Sequence, residues 1–550
     1  MATVIIILIT LLTILFFFLH RRKTVAATKL PPRPPGLPLL GNLHQLGSLP
    51  HQSLNSLSKR YGPLILLQLG VVAPTVVVSS AEIAEQVMKT QDLIFASRPP
   101  SSLANHLIYN SMDIAFSPYN DYWRKMKKIC IVHLLSSRRV QSYRRVREEE
   151  VALLIADIRA ASVAAEAVNL SKRLVTLTND IICRAALGRK YSGETRFREM
   201  LNEFVRLLGC FPLADFVPWL GWIDVLTGLD GRARRTSKQL DEFLEQVLEE
   251  HLSRRESSNS IDIETDEDCA DFVDVLLSIK EEHDGLDKEH IKALILVRIV
   301  SPDPTRAAYW VDPTRDGGTT TVFCSTTLRW GNNILGKFGT AAEIQRLDMF
   351  AAGTDTTVTA LEWAMAELIK HPILMQEVQR EIREVAGSKE VIEEEDIDRL
   401  TYLKATIKET LRLHVPIALL VPRVAMEDTQ LQGYDIPAGT RILINAWAIA
   451  RDPENWDKPD EFWPERFMNN NIDFRGQHFH LTPFGAGRRA CPGIGFAIAV
   501  IECTLANLLH HFNWEVPEET KEEVLDMSES PGISIHKKSA LLLTAKLRSV

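Results

Sequence analysis

The stretch that most limits what this chain can become is "PFGAGRRACPG", Pro483 to Gly493, followed at once by the apolar run "IGFAIAVIECTLANLLHHF". It reads as a glycine-rich loop that ends at a helix N-terminus, where unpaired backbone N–H groups and the positive end of the helix dipole meet whatever precedes them. A thiolate is stabilised in such a place. Cys491 therefore reads as a ligand. The seven cysteines (130, 183, 210, 269, 324, 491 and 503) are odd in number, scattered and without a C-x-x-C pair, which indicates neither a disulfide framework nor a zinc site. The bulk of the chain is expected to face a reducing compartment.

A ligand loop needs a body. With 550 residues, 45% of them hydrophobic and 24% charged, the chain has ample core for a globular protein, and a net charge of -8 gives no reason to expect nucleic acid. Residues 2–19, "ATVIIILITLLTILFFFL", carry no charge and span roughly 27 Å as a helix, about the thickness of a bilayer core. "RRK" (Arg21 to Lys23) then places positive charge on the C-terminal side, which predicts a cytosolic body and an uncleaved anchor; a cleaved signal peptide carries its charge before the apolar run. "PPRPPGLPLLGN" reads as a stiff linker. The expected organisation is an anchor at 2–20, a basic, proline-rich hinge at 21–42 and one catalytic domain at 43–550.

Within that domain the patterns are mainly helical from about residue 81 to 415, with β-like runs at "LILLQLG" and "PTVVVSS" and strand signals returning after "LLVPRVA". The fold class is mainly α with small β-sheets. Val297 to Arg346 breaks the pattern: it has three prolines, a Gly-Gly pair and no helical period, and it separates "DKEHIKALIL" from "LDMFAAGTDTTVTALEWAMAELIKHP". Joined directly, those flanks make one long helix. An unspliced intron or gene-model error is expected here, with a tolerated surface loop as the rival.

Around Cys491 the spacing F-x-x-G-x-R-x-C-x-G, formed by Phe484, Gly487, Arg489, Cys491 and Gly493, is long and specific. On it the chain resembles the cytochrome P-450 superfamily of haem-thiolate monooxygenases. Glycines let a flat macrocycle approach the backbone while the sulfur stays deprotonated and shielded. "KETLR" (Glu409, Arg412) and "PERF" (Arg466) match the family's buried Glu-Arg-Arg network, and breaking a buried pair costs about 3–5 kcal/mol. Details such as "PPGLPLLGNLHQL", "YGPL" and "AGTDTT" look like the plant A-type group.

The resemblance implies a site. "AAGTDTT" sits in a helical pattern where glycine and threonine are poor for helix stability; in the family it crosses the distal face of the haem, Ala352 and Gly353 leaving room for oxygen while Asp355 and Thr356 relay protons. Cys491 is the implied iron ligand of haem b (iron protoporphyrin IX), and Trp123, Arg423 and Arg489 match the propionate donors. The W-x-x-x-R pattern is imperfect, because Lys127 stands where arginine is expected, so the partner is either Arg124 or Lys127. The run "RKMKK" is open to two readings, an electron-donor face and a solvated helix face. Substrate is expected at the loop near 101–116, at Leu207 to Asp224 with Phe211 and Leu213, at Val415 to Arg423 with Ile417 and Leu419, and at Glu529 to Ser534. These apolar segments suggest a small lipophilic plant secondary metabolite. The implied protein is a single-pass monooxygenase of the endoplasmic reticulum membrane that uses O2 and NADPH electrons delivered by a flavoprotein reductase. An oxygen-independent isomerase or dehydratase and an inactive haem-binding protein are the alternatives.

Overall fold

The structure, a computed structural model, describes residues 29–108, 111, 113–191, 195–258, 271–275, 346–387, 389–518 and 525–548. The expected anchor and nearly all of the anomalous stretch lie outside the described residues.

Helices form where the sequence supplies both an apolar stripe and an end. In α1 (Asp121–Ile129) the side-chain oxygen of Asn120 accepts from the Trp123 N–H at 2.8 Å. Asn169 opens α2 (Leu170–Leu187) the same way, and Gly188 closes it at φ +71°, a left-handed position that glycine takes without penalty. α3 (Arg346–Lys370) packs along α2, and a β-carbon on Gly353 would come within 2.6 Å of Ile182 Cδ1. That glycine permits the close approach of the two helices. At the head of α4 (Thr401–Leu413) the backbone N–H groups of Tyr402 and Leu403 donate to Glu381 at 2.8 and 3.0 Å. α5 (Ile494–His511) is the apolar run after the cysteine loop; it is long and apolar enough to cross a membrane, but 67% of it is buried inside the protein, against α3 and α4.

The main sheet has four strands, β1 (Leu64–Leu67), β2 (Thr75–Val78), β3 (Arg423–Val424) and β4 (Arg441–Ile444), in the order β1-β2-β4-β3. β2 runs parallel to β4 and the other two pairings are antiparallel. Every residue of β1 and β2 is buried, so β1 and, after Thr75, β2 read as apolar runs, as strands covered on both faces do. A bridge from Ser97 to Val424 extends the edge at β3, which brings Arg98 and Arg423 into one neighbourhood.

Two polar contacts close the body. Glu409 and Arg412, both fully buried, pair through two hydrogen bonds of 2.7 and 2.8 Å, and Glu409 also accepts from Arg466 Nε at 3.1 Å and from the Trp463 N–H at 2.8 Å. Far apart in sequence, His51 and Glu529 meet at 2.8 Å, and Trp447 donates to the same carboxylate at 3.2 Å.

Candidate active site

The cysteine loop is shaped by backbone that disfavours a side chain at two points. Gly485 and Gly487 have φ of +66° and +68°, and a β-carbon on Gly487 would lie 1.9 Å from the carbonyl oxygen of Met88. The loop then turns so that the Cys491 N–H donates to the Phe484 carbonyl at 3.0 Å and the Gly493 N–H points at Cys491 Sγ from 3.4 Å. Phe484 meets Phe474 edge to face at 5.5 Å. Among the described cysteines Cys491 alone is exposed, yet protein surrounds it. Burial pushes its thiol up, against the Gly493 N–H and the charge of Lys127, which pull it down. An accessible sulfur inside a protein body lines a hollow.

Cations crowd the same hollow. Arg489 donates to the carbonyls of Ala96, Ile114 and Ser117 at 2.5, 3.2 and 2.7 Å, with its guanidinium 4.0 Å over the Trp123 ring. The Trp123 N–H is itself spent on the Ile114 carbonyl at 2.9 Å, so Trp123 meets Arg489 through its ring face. Arg423 reaches the Ala486 carbonyl at 3.0 Å with one nitrogen, while its Nη1 is buried without a partner. Arg98, buried, holds the carbonyls of Ala115, Val421 and Pro422. Lys127 donates to the carbonyls of Arg488 and Ala490. Arg124 instead turns outward to Asp121, so Lys127 is the side chain that the structure brings to the loop.

These charges repel one another. Burial and then Arg489 lower Lys127 to about 8, burial and then Arg423 lower Arg489 to about 9, and burial lowers Arg423 to about 10. Burial, followed by Arg489 and Arg423, also holds Arg98 well below the usual guanidinium range. Four cations, one of them with an orphaned guanidinium nitrogen, form a cradle for anionic groups. A flat dianionic macrocycle with a thiolate-held metal fits that donor set.

On α3, Asp355 sends Oδ1 to His536 Nε2 at 2.8 Å and leaves Oδ2 buried without a partner; the hydroxyl of Thr354 is likewise buried and unpartnered. Thr356 follows on the same helix.

The profile of the family described as "Cytochrome P-450" matches residues 31–300 and 340–544. The chain belongs to that family. It is similar to cytochrome P-450 71A1 of Persea americana, 47% identical over 92% of this chain and 91% of that one, and to cytochrome P-450 736A117 of Prunus mume, 45% identical over 95% and 91%. Norfluorocurarine oxidase of a Strychnos species is 43% identical over 94% and 92%. These relatives place the chain in the plant A-type group as a haem-thiolate monooxygenase, an oxidoreductase, and they do not favour the oxygen-independent or inactive alternatives. A zebra fish cytochrome P-450 structure with progesterone superposes with a TM-score of 0.68 over 91% of this chain and 99% of its own; at 24% identity it shows the shared fold.

In this P-450 the expected substrate segments converge only in part. A β-carbon on Gly209 would lie 2.9 Å from the Ile533 backbone nitrogen, and the Ile535 N–H donates to the Pro416 carbonyl at 2.9 Å, which joins the 207–209, 415–423 and 529–534 segments. Phe211 does not join them, being 63% exposed. Leu419 packs into the core beside the main sheet. Sequence reading passed over two residues, Arg98 and His536. Each sits in a short mixed stretch, "FASRPP" and "ISIHKK", with no motif spacing to mark it; only the pairing of distant segments brings it to the site.

Proposed function

We infer that this monooxygenase is membrane-anchored and oxidises a small lipophilic plant secondary metabolite with electrons passed from NADPH through a flavoprotein reductase. The observation that carries the reading is the accessible Cys491 thiol beside Arg98, Lys127, Arg423 and Arg489, with Arg423 Nη1 left unpartnered. Cys491 would hold the haem iron as thiolate, its charge eased by the Gly493 N–H, and the four cations would take the haem carboxylates. Haem bound there supplies the oxygen-activating redox chemistry. Asp355 and Thr356 would hold and hand on protons from the α3 side, where Asp355 Oδ2 has a lone pair uncommitted.

Two surfaces support the partners. Arg124, Lys125, Lys128, Arg138 and Arg145 are exposed, on segments that run beside the cysteine loop, since Lys127 touches it and Val140 packs at 4.0 Å from the β-carbon position of Gly495. That face suits an acidic flavoprotein. Elsewhere Leu37, Leu39, Trp219, Trp222, Val225 and Leu226 are exposed, and the loops bearing them are laced together by Gly70 N–H to Leu40 and Val71 N–H to Phe216, 3.1 and 2.9 Å. An apolar rim of this kind suits a bilayer surface of the endoplasmic reticulum, to which residues 2–20 would tether the chain. Residues 297–346 would be foreign to the folded enzyme; the family profile leaves 301–339 unmatched.

The test is spectroscopic and then chemical. Reduced protein with carbon monoxide should give the red-shifted Soret band of a thiolate complex. Plant terpenoids, phenylpropanoids, alkaloids and amino-acid-derived oximes are then screened for a spin-state shift and for turnover with NADPH and reductase. A reduced complex without that band overturns the reading.

A further inference from the structure

Asp355 is held from outside its own helix. His536 comes from the C-terminal turn and meets Asp355 Oδ1 through Nε2 at 2.8 Å and the Thr359 hydroxyl through Nδ1 at 2.9 Å. The turn is itself pinned: the Trp363 indole N–H donates to the Ile535 carbonyl, and the Ile535 N–H to the Pro416 carbonyl, each at 2.9 Å. His536 is thus fixed between α3 and the substrate-facing segments.

The hydrogen-bond partners of the ring constrain its protons. The Thr359 hydroxyl has one proton and spends it on the Asp355 carbonyl at 2.8 Å. Its oxygen can then only accept from the ring, so Nδ1 carries a proton. Nε2 faces a carboxylate, and it too must donate unless Asp355 is protonated. The ring with both protons is an imidazolium facing Asp355 and, at 3.8 Å, Glu362. Lys537, the next residue, lies over Trp363 and donates to the Asp526 carbonyl. Burial works against the cation, but Asp355 and Glu362 outweigh it and raise His536 to about 10.

We propose that His536 is a positioning residue for proton delivery: as an imidazolium it fixes one oxygen of Asp355, leaves Oδ2 to receive and release protons, and ties that arrangement to the substrate-facing turn. This rests on reading Asp355 and Thr356 as the delivery pair. A side chain on the substrate turn then sets the order of the group that serves the oxygen, so a substrate that displaces the turn loosens both together.

Two measurements test it. In the full-length holoenzyme, reduced and carbon-monoxide bound, with 15N-labelled imidazoles, the resonance that disappears in His536→Gln should show both ring nitrogens protonated at pH 8; a neutral ring with one proton there overturns the proposal. In turnover with reductase, His536→Gln keeps a donor without charge. Product formed per NADPH should fall about tenfold, as commonly seen when the outer partner of a working group is lost, with peroxide rising and KM unchanged, and His536→Lys should recover part of it. Uncoupling in Thr356→Ala with none in His536→Gln overturns this inference and leaves the delivery reading standing. Full coupling in Asp355→Asn, Thr356→Ala and His536→Gln alike overturns both.

Discussion

The carbonyl oxygen of Met88 occupies the space that a side chain on residue 487 would need, 1.9 Å from the β-carbon position of Gly487. Gly487→Ala must therefore shift backbone as well as hold a left-handed φ, and the two costs together amount to about 3 kcal/mol or more. The loop should lose its grip on Cys491. A lowered thermal midpoint and loss of the thiolate-type spectrum are expected, and a parent-like spectrum would show that the loop relaxes.

Cys491→Ala should abolish that spectrum with the helical circular dichroism retained, because the other described cysteines are less accessible and none lies in a comparable loop. Lys127→Ala should release haem to an acceptor protein about tenfold faster, while Arg124→Ala, which removes an outward pair with Asp121, should leave the release rate unchanged.

Removing the carboxylate of Glu409 strands two guanidiniums that are buried or nearly so. Glu409→Ala should cost about 3–5 kcal/mol, the penalty for leaving a buried charge unpaired. Urea unfolding followed by circular dichroism measures it. A loss under 1 kcal/mol, about the value of an exposed pair, would mean that the network is solvated.

Glu502 on α5 predicts a pH dependence. Burial pushes its carboxyl up to about 7, so the unfolded chain ionises it near pH 4.5 while the folded chain resists. The native state binds more protons across that interval, and stability falls as pH rises from about 4.5 to 7 and then levels, by at most about 3 kcal/mol. Glu502→Gln should match the parent near pH 4 and exceed it at pH 8. Parallel unfolding curves at both values would exclude the effect.

Excising residues 297–346 should raise haem content per polypeptide and turnover, since prolines and glycines cannot continue the helix that resumes at Arg346. Both forms are expressed side by side. Equal haem content and activity would mark the stretch as a tolerated loop.

What the sequence made legible was local. The strands at Leu64–Leu67 and Thr75–Val78, the cysteine loop and the Glu409-Arg412 pair each sit within one short pattern, and periodicity or spacing reveals such things directly. Arg98 and His536 stayed hidden because their roles come from pairings between distant segments, such as Ser97 with Val424 and Ile535 with Pro416. The close approach of Ile182 to Gly353 stayed hidden for a related reason: Ile182 lies on another helix. The choice between Arg124 and Lys127 needed the direction of each side chain around α1, which spacing alone left open.

The hydrogen bond from His51 to Glu529 spans 478 positions of sequence. At a synthesis rate of about 5–20 residues per second, the helix bearing His51 leaves the ribosome roughly half a minute or more before its partner is made. During that interval the apolar strands at Leu64–Leu67 and Thr75–Val78 also wait for Arg441–Ile444 to cover their edge. The nascent chain thus carries an unfinished sheet through that interval, and a premature stop after α5 would produce a polypeptide that holds Cys491 and Asp355 but lacks the last contact that shuts the body around them.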